Sequence, residues 1–259
     1  GGVKNPGMFF MYGGRITSNH ADNGGGVCND AGIFTMYGGT ITSNTADNGG
    51  GVYNNNPGKF FMYGGTITTN NAGSGGGVYV SVNCSFDMYG GTITGNKAEQ
   101  TYGTEYGGGV YNQGTFNMYG GEITNNTATV GGGGVFNKGT FTMSGGEITS
   151  NSSESYGGGV CYSSSQLFKM SGTVNITENK VGTTPNNLYL WNGQQVSASG
   201  LTSGAEIGVT TQIVPINDSS VPITSDSVSV NCFSSDKSDY ETAIDENSKV
   251  VLKKKTAVE

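Results

Sequence analysis

Glu122 and Glu147 occupy the same place in two successive copies of the segment Gly-Gly-Glu-Ile-Thr. Stacked strands repeat every ~4.8 Å, close to the ~5–5.5 Å between the two carboxyl groups of a retaining glycosidase. The two glutamates are therefore the candidate catalytic pair, weighed against simple solvation on a β face. Tyr37, Tyr63, Tyr89 and Tyr119, together with Tyr12, each follow a methionine and are expected to point outward. Such a stripe suits stacking against sugar rings or a protein partner; the structural alternative is a ladder of rings supporting one another across strands. Tyr53, Tyr79, Tyr111 and Phe136 form a second column of this kind. Tyr102 and Tyr106 lie with Glu99 and Glu105 in an insertion between copies, where solenoids often carry their binding loops.

Other chemistries find less support. Lyase chemistry on uronates needs a base and a cation to stabilise the enolate, and Arg15 is the sole arginine. The chain has one histidine, His20, and no Cys-x-x-Cys or acidic cluster. Neither zinc, calcium nor any cofactor is expected. Cys28 and Cys161 share a column five copies apart, about 24 Å at one strand spacing per copy, whereas a disulfide requires Cα atoms within ~7 Å. With Cys84 and Cys232 they are expected to be free, largely buried thiols. A net charge of −7 with only 12 Lys and Arg disfavours nucleic acid and anionic membranes as partners. With no run of ~18 apolar residues, membrane insertion is not expected.

The elements that position these residues follow from a repeat. Phe9, Phe34, Phe60, Phe86, Phe116, Phe141 and Phe168 each precede a methionine by two positions. Columns of isoleucine (Ile16 to Ile176), asparagine three residues later (Asn19 to Asn179) and valine after the glycine runs (Val3 to Val160) share that period. Phe-x-Met alternates with period two, a strand signal, as do the segments around Ile123 and Val110. Glycine and Asn/Thr/Ser stretches separate them as turns. Three strands and three turns in about 25 residues make one coil of a parallel β-helix, and leucine-rich repeats are excluded by the scarcity of leucine. The columns become buried ladders, with asparagine amides bonding from coil to coil.

The paired GGGV and ITxN segments resemble the GGA[ILV] and FxxN motifs of polymorphic membrane protein repeats in bacterial surface adhesins, with Gly for Ala and Ile for Phe. More widely, the chain resembles the right-handed parallel β-helix proteins of the pectate lyase-like superfamily, which holds lyases, hydrolases, adhesins and stalks. The expected architecture is all-β: a single-stranded right-handed β-solenoid of about seven coils over residues 1–185, with residues 186–259 as a C-terminal β cap continuing or covering the solenoid. Within that cap, strands are expected at 206–214, 227–233 and 249–253, and a helical turn at 238–244. The repeat already runs at Gly1, so the natural chain is expected to extend upstream and to carry an export signal there. The resemblance implies a non-enzymatic, secreted or cell-surface bacterial module acting as a stalk or as a binder of glycans or host proteins. The competing expectation is a glycoside hydrolase or polysaccharide lyase of the same superfamily.

Overall fold

A computed structural model describes residues 1–99, 106–228 and 230–256. The chain is a parallel β-solenoid of about nine turns. Valine stacks on valine, Phe-x-Met on Phe-x-Met and isoleucine on isoleucine, in the register that the columns require. The two turns beyond the expected seven come from residues 186 onward. There Leu188 and then Val209 continue the valine column. Val196 continues the phenylalanine column, and Ile207 and Phe233 the isoleucine column. Changed residue types and uneven spacing hide these turns in the sequence.

The first five coils have four strands each rather than three, and in the next two the second and third strands run together as Thr140–Thr149 and Phe168–Thr177. In one copy they are Val110–Asn112, Thr115–Met118, Glu122–Thr124 and Thr127–Ala128. The fourth strand stacks into a sheet of its own, running from His20–Asn23 through Thr45–Asn48 and Asn71–Ser74 to Lys180–Val181. Its inward residue is small: Ala46, Ala72, Ala98 and Ala128 are buried in one column. An alanine column allows close approach of this short side to the core yet leaves little hydrophobic signal in the sequence.

The core is a set of ladders. Phe rings from Phe9 to Phe168 stack with centroids 4.3–5.1 Å apart and nearly parallel planes. From Phe34, Met36 and Ile41 onward these columns are buried, which removes their side chains from water and is worth ~1.5–3 kcal/mol apiece. At the corner after each isoleucine, the residue before the ladder asparagine adopts a left-handed conformation. Ser18, Ser43, Thr69, Gly95, Asn125, Ser150 and Glu178 have φ of 56–63°. That bend turns the asparagine side chain into the stack. Each Nδ2 donates to the next Oδ1 at 2.9–3.0 Å from Asn19 through Asn187. Most also donate to the isoleucine carbonyl one coil back, as Asn96 does to Ile67.

A second asparagine ladder runs beside the valine column. Asn5 donates to Asn29 and Asn29 to Asn54, both at 2.7 Å; Val80 interrupts, and Asn112 donates to Asn137 at 2.6 Å. The recurring Val-x-Asn in Gly-Gly-Val-x-Asn was its sequence signal.

The C-terminal end is closed by antiparallel pairing. Lys249–Lys254 lies between Ser220–Ser227 and Tyr240–Ile244 and buries Val250, Val251 and Leu252. The segment expected as a helical turn at 238–244 is thus largely strand, because Tyr-Glu-Thr-Ala-Ile finds a ready edge in Lys249–Lys254. Residues 230–232, expected within a strand, form a single 3-10 turn.

Candidate functional site

The tyrosines after the core methionines do point outward. Tyr37, Tyr63, Tyr89 and Tyr119 are 43–48% exposed, and Tyr12 at the open end is 75% exposed. Parallel register places them in one column, and their rings stack at 4.7–5.3 Å with planes within 14° of each other. This stacking has a consequence for recognition. The faces of Tyr37, Tyr63 and Tyr89 are covered by their neighbours, so the surface offered to a partner consists of ring edges and a row of hydroxyls. Burial of its surroundings, the Asp87 carboxylate and the adjacent phenols hold the Tyr89 hydroxyl above its ordinary range, so it stays neutral at physiological pH. The column ends after Tyr119: Ser144 and Ser171 follow the paired Met143 and Met170 in sequence, and the strand register shifts directly after those methionines.

The second tyrosine column is corrected in part. It lies outside the main core, as alternation dictates, but Tyr111, Phe136, Cys161 and Tyr189 are buried in a separate cluster. Tyr79, Tyr106, Tyr156 and Trp191 pack against it from outside. Tyr106 is half-buried, its ring 4.1 Å from Phe136, and its backbone bridges Ser74 and Gly131. Lys138 Nζ lies 5.5 Å from the Tyr106 ring centre and 5.6 Å from that of Phe136, a cation–π arrangement. The other loop candidate, Tyr102, lies outside the described residues, as does Glu105.

Glu122 and Glu147 are direct cross-strand partners and exposed. Their column continues through Asn175 to Glu206. Neither lines the clefts around Ser152, Cys232 or Lys138.

The four cysteines are free. Cys161 is fully buried among aromatic rings, and burial pushes its thiol up to about 12. Cys28, in the same column near the open end, is only half-buried. Among the described residues no group of three or more His, Cys, Asp or Glu is placed to hold a metal ion. No helix among them is long and apolar enough to cross a membrane. Comparison with family models, curated proteins and solved structures finds no match to this chain.

Proposed function

We propose that the chain is a non-enzymatic β-solenoid module of a secreted or cell-surface bacterial protein, an adhesin-like stalk whose tyrosine column contacts a glycan or a cell-surface protein. The observation that carries this reading is the outward ladder of Tyr12, Tyr37, Tyr63, Tyr89 and Tyr119, stacked at 4.7–5.3 Å. Each inner ring is held on both faces, so little rotamer freedom remains to be lost on binding, and the amphipathic edges offer apolar contact and hydroxyls together. The GGGV and ITxN segments, which resemble polymorphic membrane protein repeats, support the same reading, as does the wider likeness to pectate lyase-like β-helices. Low charge and abundant Gly, Thr and Asn fit an exported β-solenoid.

The test is a glycan-array and cell-surface-protein screen of the purified chain, with a reducing-sugar assay on every glycan that binds. Binding without release of reducing ends is expected. Turnover that disappears in Glu122→Gln would replace this reading with a glycosidase.

A further inference from the structure

The two tyrosine ladders have nearly the same spacing but differ in what can reach them. In the outer one, Tyr12, Tyr37, Tyr63, Tyr89 and Tyr119 are successive neighbours, with ring centroids 4.7–5.3 Å apart and planes within 14°. Its rings are 43–75% exposed. In the second, Tyr53, Tyr79 and Tyr111 are as close, at 4.9–5.1 Å, but their planes cross at 41–45°. Tyr111 is buried, and the Tyr79 and Tyr111 hydroxyls both bond the Gln113 side chain. Burial and the neighbouring phenols also hold the Tyr79 hydroxyl well above its ordinary range.

Phenols in contact have a chemistry that isolated phenols lack. A one-electron oxidant takes an electron from the ring while the hydroxyl proton passes to water. The phenoxyl radical that remains shares its unpaired electron between the oxygen and the two ring carbons ortho to it. Two such radicals join by a bond between ortho carbons, and the hydrogen on each joined carbon moves back to its oxygen. Per link, two electrons and two protons leave the pair, and one hydrogen peroxide takes them up as two waters.

The outer ladder meets each requirement. Its rings are open to an oxidant, and each has its partner in place one coil away, ~4.8 Å along the axis. Holding two reactants together turns an encounter into a unimolecular step, so coupling within the column outruns coupling between chains. The exposed rims leave room for the ring tilt that the new bond requires. The second ladder is screened from the oxidant and keeps its protons.

We propose that the outer tyrosine column is an oxidative cross-linking site, where a peroxidase-type oxidant using hydrogen peroxide joins neighbouring rings as dityrosine and staples adjacent coils together. Each link closes a loop of one repeat and so restricts the unfolded chain. The inference rests on the spacing and exposure of the column, not on its being a contact face, so binding and cross-linking succeed or fail independently.

The experiment is treatment of the whole purified chain, kept dilute, with a haem peroxidase and hydrogen peroxide. The monomer is expected to gain dityrosine fluorescence and to lose two hydrogen atoms per link. Peptide mass spectrometry should join Tyr12 to Tyr37, Tyr37 to Tyr63, Tyr63 to Tyr89 or Tyr89 to Tyr119. The melting temperature of the linked monomer should rise by roughly 5 °C. Met8, 71% exposed, takes up oxygen under the same conditions, a mass gain that is read separately. Tyr37→Phe/Tyr89→Phe keeps every ring in the stack but leaves Tyr12, Tyr63 and Tyr119 two coils apart, about 10 Å. In that variant the yield of dityrosine in the monomer should fall at least tenfold; an undiminished yield overturns the proposal. So do the absence of dityrosine from the parent monomer, links found only between chains, and links confined to Tyr53, Tyr79 and Tyr111. A linked monomer that melts like the unlinked one overturns the stapling of coils.

Discussion

Asn187 closes the main asparagine ladder on Asp236, across 49 residues of sequence: its Nδ2 donates to Oδ1 at 2.5 Å and its backbone N–H to Oδ2 at 2.8 Å. Every amide in the ladder donates toward the C-terminal end, so the aligned dipoles present their positive end where this carboxylate sits. The logic is that of an anion at a helix N-terminus. Thr210 Oγ1 supplies a third donor at 2.9 Å.

Asp236→Ala leaves three donors without their acceptor and is expected to cost about 3 kcal/mol, since each unsatisfied buried group costs ~1–3 kcal/mol. Urea unfolding measures it. The pH dependence has a definite sign. Burial pushes the Asp236 carboxyl above its ordinary value of 3.8, despite the donors from Asn187 and Thr210 that pull it down. A raised folded value means that its contribution is fullest below about pH 4 and declines as pH rises through the folded value. The stability difference between the parent and Asp236→Asn should therefore shrink from pH 4 toward neutrality; a difference that grows would contradict the assignment.

Thr69 is a β-branched residue at φ 56°, with its Oγ1 3.2 Å from that of Thr68. In the same column Asn125 makes the equivalent contact, Nδ2 to Thr124 Oγ1 at 3.2 Å. Asparagine tolerates the left-handed region better than threonine. Thr69→Asn is expected to stabilise by about 1 kcal/mol, read as a melting temperature higher by ~2–4 °C.

Two glycine substitutions separate packing from chance. A Cβ on Gly76 would meet the Lys97 carbonyl oxygen at 2.2 Å and that of Gly108 at 2.7 Å, both backbone, whereas one on Gly13 meets nothing within 4 Å. Gly76→Ala should lower stability by about 3 kcal/mol through forced separation of coils, and Gly13→Ala should stay within ~0.5 kcal/mol of the parent. Equal melting temperatures for the two would contradict the close coil-to-coil approach.

Much of this architecture was legible in the residues, and the failures have physical causes. The phenylalanine, methionine, isoleucine and first asparagine ladders were readable because large or distinctive side chains repeat in register. The fourth strand was not, because its inward column is alanine, which reads like turn sequence. Coils past Asn186 were hidden because Leu188 and Val209 replace valine, and Val196 replaces phenylalanine, at uneven spacing. The outward tyrosine column was foreseen, and so was its mutual stacking, as the structural alternative to a binding stripe; the rings do form that ladder.

Thiol chemistry checks the outer aromatic cluster. Cys161 should resist a soluble disulfide reagent in the native protein while half-buried Cys28 reacts, and urea should expose all four thiols. Burial holds the Cys161 thiol near about 12, against an ordinary value of 9.0. Its contribution to stability is thus complete below about pH 9 and is lost as pH rises toward the folded value. The parent should lose stability relative to Cys161→Ala by about 1.4 kcal/mol per pH unit above pH 9. Parallel pH curves would place Cys161 in water.

The claim that the tyrosine column is the contact face is tested most directly by comparing the parent with Tyr63→Ser/Tyr89→Ser on the glycan array and on intact cells. Serine already follows the core methionine at Ser144 and Ser171, so the variant should fold. A loss of at least tenfold in binding, with the circular dichroism spectrum unchanged, is the predicted result. Undiminished binding by the folded variant would contradict it.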